Sequence, residues 1–587
     1  EKPETIIPAH IPLSNRRNKT VMFVAYYFAL SQNPRGITML NKRTILGLPR
    51  SWRRKMTQCV ALAALLFTLP VAGFAQETTS AIRGKVIDPT GNPVANASIV
   101  VQDTRSGAER TATSSSDGTF FATRLLPGGP YKVTVNGVKT IEVPLISVGD
   151  TYNLTVNLQS EAEIEEIVTI GQTADIVEVA AGPAATFSLG DLENAVSFSR
   201  DISDVYGIDP RMVIDNDEDG FGVNCAGKHP RFNNVTLDGV SQTDRFGLNE
   251  NGYSTAVGMP FPYDAIEQIA VELAPFDVTY GGFSACNINS VTKSGTNQWE
   301  GKTFYEYSNN NFRGDSIAND DRDFSRESYD KTYWGFNVGG PIIKDKLFIF
   351  AAYEESDEPR FLKRGYAGSG NGEERPWLSQ ADYDRIDSIA QNVYNYEPGG
   401  QPGDGKQESE KYMLRLDWDV NDQHRASLIY NYFDGFQLRD SDGDDDEFEF
   451  ANHFYTKGAE SETITLKLTS QWTDALSTEV FYSSSEMNDS QVTVGNPEFA
   501  DMQISVGGRD GVVYLGADDS RQSNKLDTQS DYFKLSANYF IGNHIITAGY
   551  DREDLEIFNL FVQHSRGGEY DFFDDSADND PSCDLLT

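Results

Sequence analysis

The chain has 587 residues, more than one ordinary domain holds, so two or more domains are expected. It carries 88 Asp and Glu against 49 Lys and Arg, a formal charge of -39, and a surface of that sign repels phosphate and argues against nucleic acid as a partner. With 50 Gly, 11% aromatics and little helical apolar periodicity, the composition suits an all-β protein, and its four Cys (Cys59, Cys225, Cys286 and Cys583) make neither a disulfide-dense scaffold nor a CxxC metal site.

Arg53, Arg54 and Lys55 precede an apolar run over 59–74, and the small residues Gly73 and Ala75 lie just before Gln76. A basic region, a short apolar core and a small-residue exit form the pattern of a secretory signal peptide, and the run falls short of the ~20 residues that a spanning helix needs. Residues 39–75 are therefore read as a signal peptide with a mature N-terminus near Gln76. Residues 1–38 begin with Glu1 rather than Met and are read as an upstream extension.

Residues 76–160 contain short alternating runs at 82–87, 97–101, 118–121, 131–135 and 152–158, divided by turn signals at 88–91, 117–118 and 127–129. Short strands at this spacing predict a β-sandwich. The segments GKVIDPTGNPVANASIVV and SSSDGTFFATRLLPGGPYKVTV resemble the carboxypeptidase regulatory-like domain. The domain is similar to carbohydrate-binding-like folds, which leaves sugar binding as one reading and a periplasmic spacer or signalling module as the other. Catalysis is not expected, because the segment has no His and no cluster of zinc ligands.

Residues 161–298 are read as an α+β plug domain. Glu165, Glu166, Ile167, Val168, Thr169 and Ile170 form a β-prone strip beside an Ala- and Gly-rich stretch, suited to adding as an edge strand to a partner's sheet. The strip resembles the TonB box of TonB-dependent outer-membrane receptors. Three later blocks resemble the plug motifs of that family in the right order: HPRFNNVTLDGV with Asn233, Asp238 and Gly239; AIEQIAVE followed by Tyr280, Gly281 and Gly282; and INSVTKSGTN with Asn289, Thr292, Lys293 and Gly295. The wording around GVNCAGKHPRFNN and GGFSACNIN is similar to the Oar-like branch. Gly281 and Gly282 are expected to supply the permissive backbone of a tight turn.

Export would carry Cys225 and Cys286 into an oxidising compartment, where a bridge between them is expected, with two buried free thiols as the alternative. Asp215, Asp217 and Asp219 precede Gly220 at alternate positions, the front half of an EF-hand-like Ca²⁺ loop. The bidentate acid expected at position 226 is Ala226, so a solvated acidic loop is the competing reading, and no other cofactor is expected.

From 299 to 587 the period-2 pattern dominates. Tyr412, Leu414, Leu416, Trp418 and Val420 alternate with Met413, Arg415, Asp417 and Asp419, and similar alternation recurs at 425–432, 464–469 and 533–539. Short turns at 343–346, 421–423, 473–475 and 541–544 alternate with long connections at 309–331, 356–410, 434–460 and 486–528. That rhythm separates a transmembrane barrel, with short periplasmic turns and long outer loops, from a soluble sandwich. About nine strands are expected here. Trp334, Phe336, Tyr353, Trp418, Tyr430, Tyr432, Trp472 and Tyr482 suit aromatic girdles. The segment GGPIIKDKLF resembles an early barrel hairpin of Oar-like receptors.

The 434–460 connection holds Asp440, Asp442, Asp444, Asp445, Asp446, Glu447 and Glu449, fit either to capture a metal or cationic ligand or to form a solvated loop. The family resemblance implies an antiparallel barrel of about 22 strands. The chain ends at Thr587 without an aromatic final strand and is read as a fragment holding the N-terminal part of that barrel.

The resemblance implies a receptor in the Gram-negative outer membrane. It would be surrounded by lipid, energised by the TonB–ExbB–ExbD complex, and would take up an unidentified extracellular ligand. The alternative is an Oar-like surface protein with an adhesive or export-coupled role. The six His are scattered without nucleophile–base spacing, so an enzyme is not expected.

Overall fold

The computed structural model describes residues 78–158, 184–312, 314 and 328–572, apart from positions 196, 198, 218, 219, 248, 250, 276, 277, 507–510, 542 and 543. The signal peptide read at 39–75, the extension 1–38 and the strip 165–170 lie outside the described residues.

The first domain packs β1 (Ser80–Ile87), β2 (Ser98–Asp103), β3 (Glu109–Thr113), β4 (Thr119–Leu125), β5 (Tyr131–Val135), β6 (Lys139–Val143) and β7 (Thr151–Asn157) into two sheets, ordered β4-β1-β7 and β3-β2-β5-β6. Alternate residues of β1 point inward, and Ile82, Val86, Ile99, Val101, Phe120, Val133, Val135 and Val156 fill the space between the sheets. Sequence alternation marks five of these strands. It misses β3, whose inward residues are Arg110 and Ala112, and β6, whose KTIEV has one fully buried residue. Both are completed by pairing, with β2 and β5 respectively, rather than by their own pattern. The turn after β1 is closed by Asp88, whose carboxylate accepts the backbone N–H of Thr90 (2.8 Å) and of Asn92 (2.9 Å).

The plug comprises β8 (Ala184–Phe187), β9 (Met212–Asp217), β10 (Gly220–Cys225), β11 (Asn234–Leu237), β12 (Val240–Ser241), β13 (Ile266–Leu273) and β14 (Cys286–Thr292), with short helices at Leu189–Asn194 and Ser203–Tyr206. Its main sheet runs β12-β11-β14-β13-β8, with β11 and β14 parallel and the other pairs antiparallel. β11 and β12 are joined through Asp238 (φ 49) and Gly239 (φ 89). Positive φ at both central positions is the type I′ geometry that favours Asp-Gly in two-residue hairpins. Ile202, Val205, Tyr206, Tyr253, Phe261, Ile269, Val271 and Ile288 form the core on one side of the sheet. Cys225 and Cys286 are joined in that core by a disulfide with Cα atoms 6.0 Å apart, tying the β9–β10 hairpin to the start of β14.

The third region supplies β15 (Glu300–Asn309), β16 (Asp330–Ile343), β17 (Leu347–Arg360), β18 (Arg364–Tyr366), β19 (Glu373–Arg375), β20 (Gly405–Asn421), β21 (His424–Arg439), β22 (Glu447–Glu449), β23 (Tyr455–Thr473), β24 (Leu476–Thr493), β25 (Asp501–Val506), β26 (Gly511–Leu515), β27 (Asn524–Ile541), β28 (His544–Phe561) and β29 (Glu569–Phe572). Nine of these form one antiparallel sheet in the order β15-β16-β17-β20-β21-β23-β24-β27-β28, whose edges β15 and β28 do not pair with each other. The short turns at 343–346, 421–423 and 473–475 lie where the sequence places them, and Ile541 pairs with His544 across the fourth.

Which face is buried decides what kind of sheet this is. On β20 and β21 the buried positions include Lys411, Arg415, Asp417, Asp419, Arg425, Ser427 and Asn431, turned toward the plug and sandwich. The apolar partners Trp418, Val420, Leu428, Leu466 and Leu468 are exposed on the other face. A soluble sandwich does the reverse. An apolar outer face around a polar interior is the solution for strands surrounded by lipid. Trp334, Phe336 and Trp472 also lie exposed, whereas Tyr412 and Tyr432 stack on each other with ring centres 4.5 Å apart.

The long connections depart from expectation. Strands of 16 to 19 residues on β20, β21, β23 and β24 exceed the ~10 needed to cross the bilayer, so they continue past it and shorten the loops. Much of what is described of the 356–410, 434–460 and 486–528 connections is folded. The helix Gln380–Asn392, capped by the Ser379 hydroxyl, packs with the four-stranded sheet β22-β26-β25-β29 around Leu378, Tyr383, Ile386, Phe448, Phe450, Val513 and Leu515. The 434–460 connection is thus only partly a solvated loop. Asp444, Asp445 and Asp446 are exposed, but Phe448, Glu449 and Phe450 are buried. The apolar residues that decide this are separated by long stretches of sequence, so no local period announces them.

Candidate functional site: the plug–wall interface

The plug motifs build their own sheet and part of its contact with the wall. Asn233 accepts the Cys286 N–H (3.3 Å) and donates to the Val223 carbonyl (2.8 Å), bracing the disulfide-bearing segments. The Thr236 hydroxyl donates to Asn289 across β11 and β14 (3.1 Å). The Tyr280 hydroxyl donates to Glu272 (2.6 Å), and the Gly281 carbonyl accepts from Asn234 (3.2 Å). Only Gly282 of the pair has positive φ, so the turn-forming role expected of both falls to Gly282 alone. Asp238 accepts the Thr292 hydroxyl (2.6 Å) and N–H (3.1 Å), locking the hairpin turn onto the end of β14. Lys293 donates its N–H to the Ala265 carbonyl (2.8 Å). Gly295 runs against the barrel backbone, where a Cβ would lie 2.4 Å from the Ile349 carbonyl oxygen and 2.9 Å from that of Gly340. A side chain there has no room.

Two polar clusters join plug to wall. In the first, the Arg415 guanidinium on β20 donates to the Thr292 carbonyl (3.0 Å) and hydroxyl (2.9 Å) and pairs with Asp417 (2.7 Å) and Asp238 (3.5 Å). Asp417 also accepts the Ser294 hydroxyl (2.6 Å), and Arg425 pairs with Asp417 (3.4 Å) and Asp419 (3.1 Å). In the second, Arg200 of the plug pairs with Asp264 (2.6 Å), with Glu306 on β15 (2.9 Å) and with Glu354 on β17 (3.1 Å), its guanidinium lying 3.6 Å from the Phe304 ring centre. Lys411 adds a pair to Glu354 (3.1 Å). Small apolar patches, such as Ala265 with Phe350, Met413 and Ile429, sit between them.

The sandwich meets both partners. Arg105 pairs with Glu267 of the plug (3.1 Å), and Gln268 accepts the Val148 N–H (3.0 Å). Arg124 reaches Glu479 on β24 (3.5 Å), which also holds Lys467 (3.3 Å) and Lys534 (2.5 Å). Arg110 donates to the Asp422 carbonyl in a short barrel turn (2.7 Å), placing this domain at the short-turn end of the sheet. Between the plug hairpin and β23, β24, β27 and β28 lies a cavity of about 220 Å³ lined by hydroxyls including Thr236, Ser241, Ser461, Ser483, Ser485 and Tyr532.

Asp215 and Asp217 sit on β9 with their backbones paired to Gly222 and Gly220 on β10; Asp219 lies outside the described residues, as do Glu165 to Ile170. The wall partners Arg415, Glu354 and Glu479 escape sequence reasoning. Their only signal is a charged residue on the polar phase of a strand, which many positions share.

Residues 81–159 match the carboxypeptidase regulatory-like domain, and residues 291–361 match an outer membrane beta barrel domain. Over 400 residues the chain is 23% identical to the TonB-dependent transporter Oar of Myxococcus xanthus, covering 64% of this chain and 35% of that protein, so it spans about a third of that relative's length. Among solved structures it is similar to the outer membrane transporter YddB from Escherichia coli (12% identity, TM-score 0.45, 65% of this chain and 49% of that one). It is also similar to the siderophore receptor PirA from Acinetobacter baumannii (16% identity, TM-score 0.42, 64% and 48%). The two domain matches and the apolar-out sheet together show a carboxypeptidase regulatory-like domain followed by part of an outer-membrane β-barrel, in a chain similar to a TonB-dependent transporter.

Proposed function

We propose that this receptor imports a ligand across the outer membrane, with the TonB–ExbB–ExbD complex engaging the strip Glu165, Glu166, Ile167, Val168, Thr169 and Ile170 and drawing the plug away from the wall. One observation carries the reading: the plug is held mainly by ion pairs and hydrogen bonds around Arg415 and Arg200, not by a broad apolar seam. Polar groups of this kind can be rehydrated one at a time when the plug is pulled. An apolar seam would resist with its whole area. The cargo passes chemically unchanged, so the reading assigns no catalytic residue and needs no cofactor. Ca²⁺ at Asp215, Asp217 and Asp219 remains a separate proposal that isothermal titration with the ion would test.

A surface role in adhesion or export draws support from the folded loop domain around Phe448 and Phe450, which presents a fixed shape rather than a mobile fringe. Growth separates the two. Strains lacking the whole receptor, or lacking only 165–170, are compared on defined iron, glycan and peptide sources. A source on which both fail alike supports import. Failure of the null strain with normal growth of the 165–170 deletion rules import out.

A further inference from the structure

Beyond the pore, the loop domain buries a group of ionisable side chains that neither plug nor wall uses. His453 is fully buried, with Nε2 3.1 Å from Asp442 Oδ2 and 3.9 Å from Asp518 Oδ2 and with Nδ1 4.0 Å from Asp501 Oδ1. One ligand atom from each of Asp442, His453 and Asp518 lies within 4.8 Å of the others. Glu449 stands behind them, accepting the N–H groups of Ser441 and Asp442, and the Ser441 hydroxyl donates to Asp518.

The group is incompletely satisfied. Glu449 Oε2, His453 Nδ1, Asp501 Oδ1 and Asp518 Oδ1 are buried without a hydrogen-bond partner, and Glu449, His453, Asp501 and Asp518 are each more than nine-tenths buried. Four carboxylates surround one imidazole, and the guanidinium of Arg521 stands off at 3.9 Å from Asp518, lying over the Tyr455 ring. Buried acids are stable only when paired or coordinated. A metal-binding imidazole is neutral, so Asp442 and Asp518, the two carboxylates that face its Nε2, bring two negative charges that a divalent cation matches, with Arg521 standing 3.9 Å from Asp518.

The donor set indicates which cation. Ca²⁺ and Mg²⁺ take oxygen shells, whereas a mixed set of imidazole nitrogen and carboxylate oxygen suits first-row divalent transition metals. Two ligands of such an ion lie about 3 to 3.5 Å apart when the bonds are near 2.0–2.2 Å. The spacings of 3.1 and 3.9 Å from His453 Nε2 are close to that. We propose that Asp442, His453 and Asp518 bind a divalent transition-metal ion of the Zn²⁺ or Mn²⁺ class, which joins the β21–β23 connection to the segment between β26 and β27. Asp501 and Glu449 act as positioning residues around it. The exposed Asp444 and Asp445 take no part.

The test uses the whole receptor extracted from outer membranes, stripped with chelator and dialysed separately against Zn²⁺, Mn²⁺ and Ca²⁺ before metal counting. The wild type should retain about one equivalent of Zn²⁺ or Mn²⁺, a stoichiometry set by one three-residue ligand set. His453→Gln and Asp518→Asn should lose it, and Asp444→Asn with Asp445→Asn should keep it. Retention by His453→Gln, or a wild type that holds only Ca²⁺ or no metal, overturns the proposal. In the last case His453 is itself the cation of the cluster. Where the variants fail to assemble, Co²⁺ loaded into the wild type decides. A nitrogen ligand in its X-ray absorption spectrum supports the site, and an all-oxygen shell overturns it.

Discussion

Arg415 on the barrel wall and Thr292 at the end of the plug sheet are joined by two hydrogen bonds from one guanidinium nitrogen, at 3.0 Å to the carbonyl and 2.9 Å to the hydroxyl. The same nitrogen lies 3.5 Å from Asp238, which in turn accepts both the hydroxyl and the N–H of Thr292. The hairpin turn, the last plug strand and the wall thus share one buried arginine.

Replacing Arg415 with Ala should loosen the plug more than any exposed substitution. It leaves Asp238 without a guanidinium and Asp417 with Arg425 alone at 3.4 Å, and breaking a buried pair from one side costs up to about 3–5 kcal/mol. The expected outcome is a lower urea midpoint for plug release in the detergent-solubilised receptor, together with greater leakage of large antibiotics into cells. An unchanged midpoint would count against the cluster as a holding point.

Removing the Cys225–Cys286 bridge should destabilise the plug through the unfolded chain. The two residues are 61 apart in sequence, and closing a loop of that size corresponds to about 4 kcal/mol of chain entropy. A non-reduced peptide map should contain the linked Cys225 and Cys286 peptides, and the Cys225→Ala, Cys286→Ala double variant should melt at lower temperature. Alkylation of both thiols without reduction would contradict the bridge.

Two glycines in neighbouring motifs should respond differently to Ala. At Gly295 the new Cβ meets the carbonyl oxygens of Ile349 and Gly340, an overpacking that costs about 1–3 kcal/mol or more. At Gly281 nothing lies within 4 Å and φ is not positive, so the change should stay within about 0.5 kcal/mol of neutral. Thermal unfolding of the two variants side by side would show it; equal losses would be the contrary result.

The turn at Asp88 should be acid-sensitive in one direction. The Thr90 hydroxyl, with the Asn92 and Thr90 backbone N–H groups, holds this carboxyl down at about 2. The unfolded value is near 3.9, so the turn's contribution is present above about pH 4 and is lost as pH falls through about 2. The domain 76–160 has its own two-sheet core, and a carbon-13 titration of the Asp88 carboxyl in it should give a midpoint well below that of an unperturbed Asp. A midpoint near 4 would show that the turn does not hold the ionised form.

Much of the architecture is local and therefore legible in sequence. Period-2 alternation at 411–420 tells which residues face lipid, because a strand turns successive side chains to opposite faces. Asp238-Gly239 specifies its hairpin because few other pairs tolerate positive φ at both positions. The strands β3 and β6, with no apolar alternation of their own, form only because β2 and β5 offer them edges.

Sequence alone determined the apolar-out strands, the short turns, the hairpin blocks of the plug and the cysteines available to bridge, since each depends on neighbours a few residues away. Only the tertiary structure decided which charges meet. Arg415 finds Thr292 across 123 residues and Asp238 across 177, and His453 gathers Asp442, Asp501 and Asp518 from two connections. A carboxylate's spacing in the chain does not say whether water or protein will surround it. In the acidic 434–460 stretch, Asp444 stays in solvent while Glu449 is buried beside Phe448 and Phe450, because long-range packing, not charge pattern, places the core of the loop domain there.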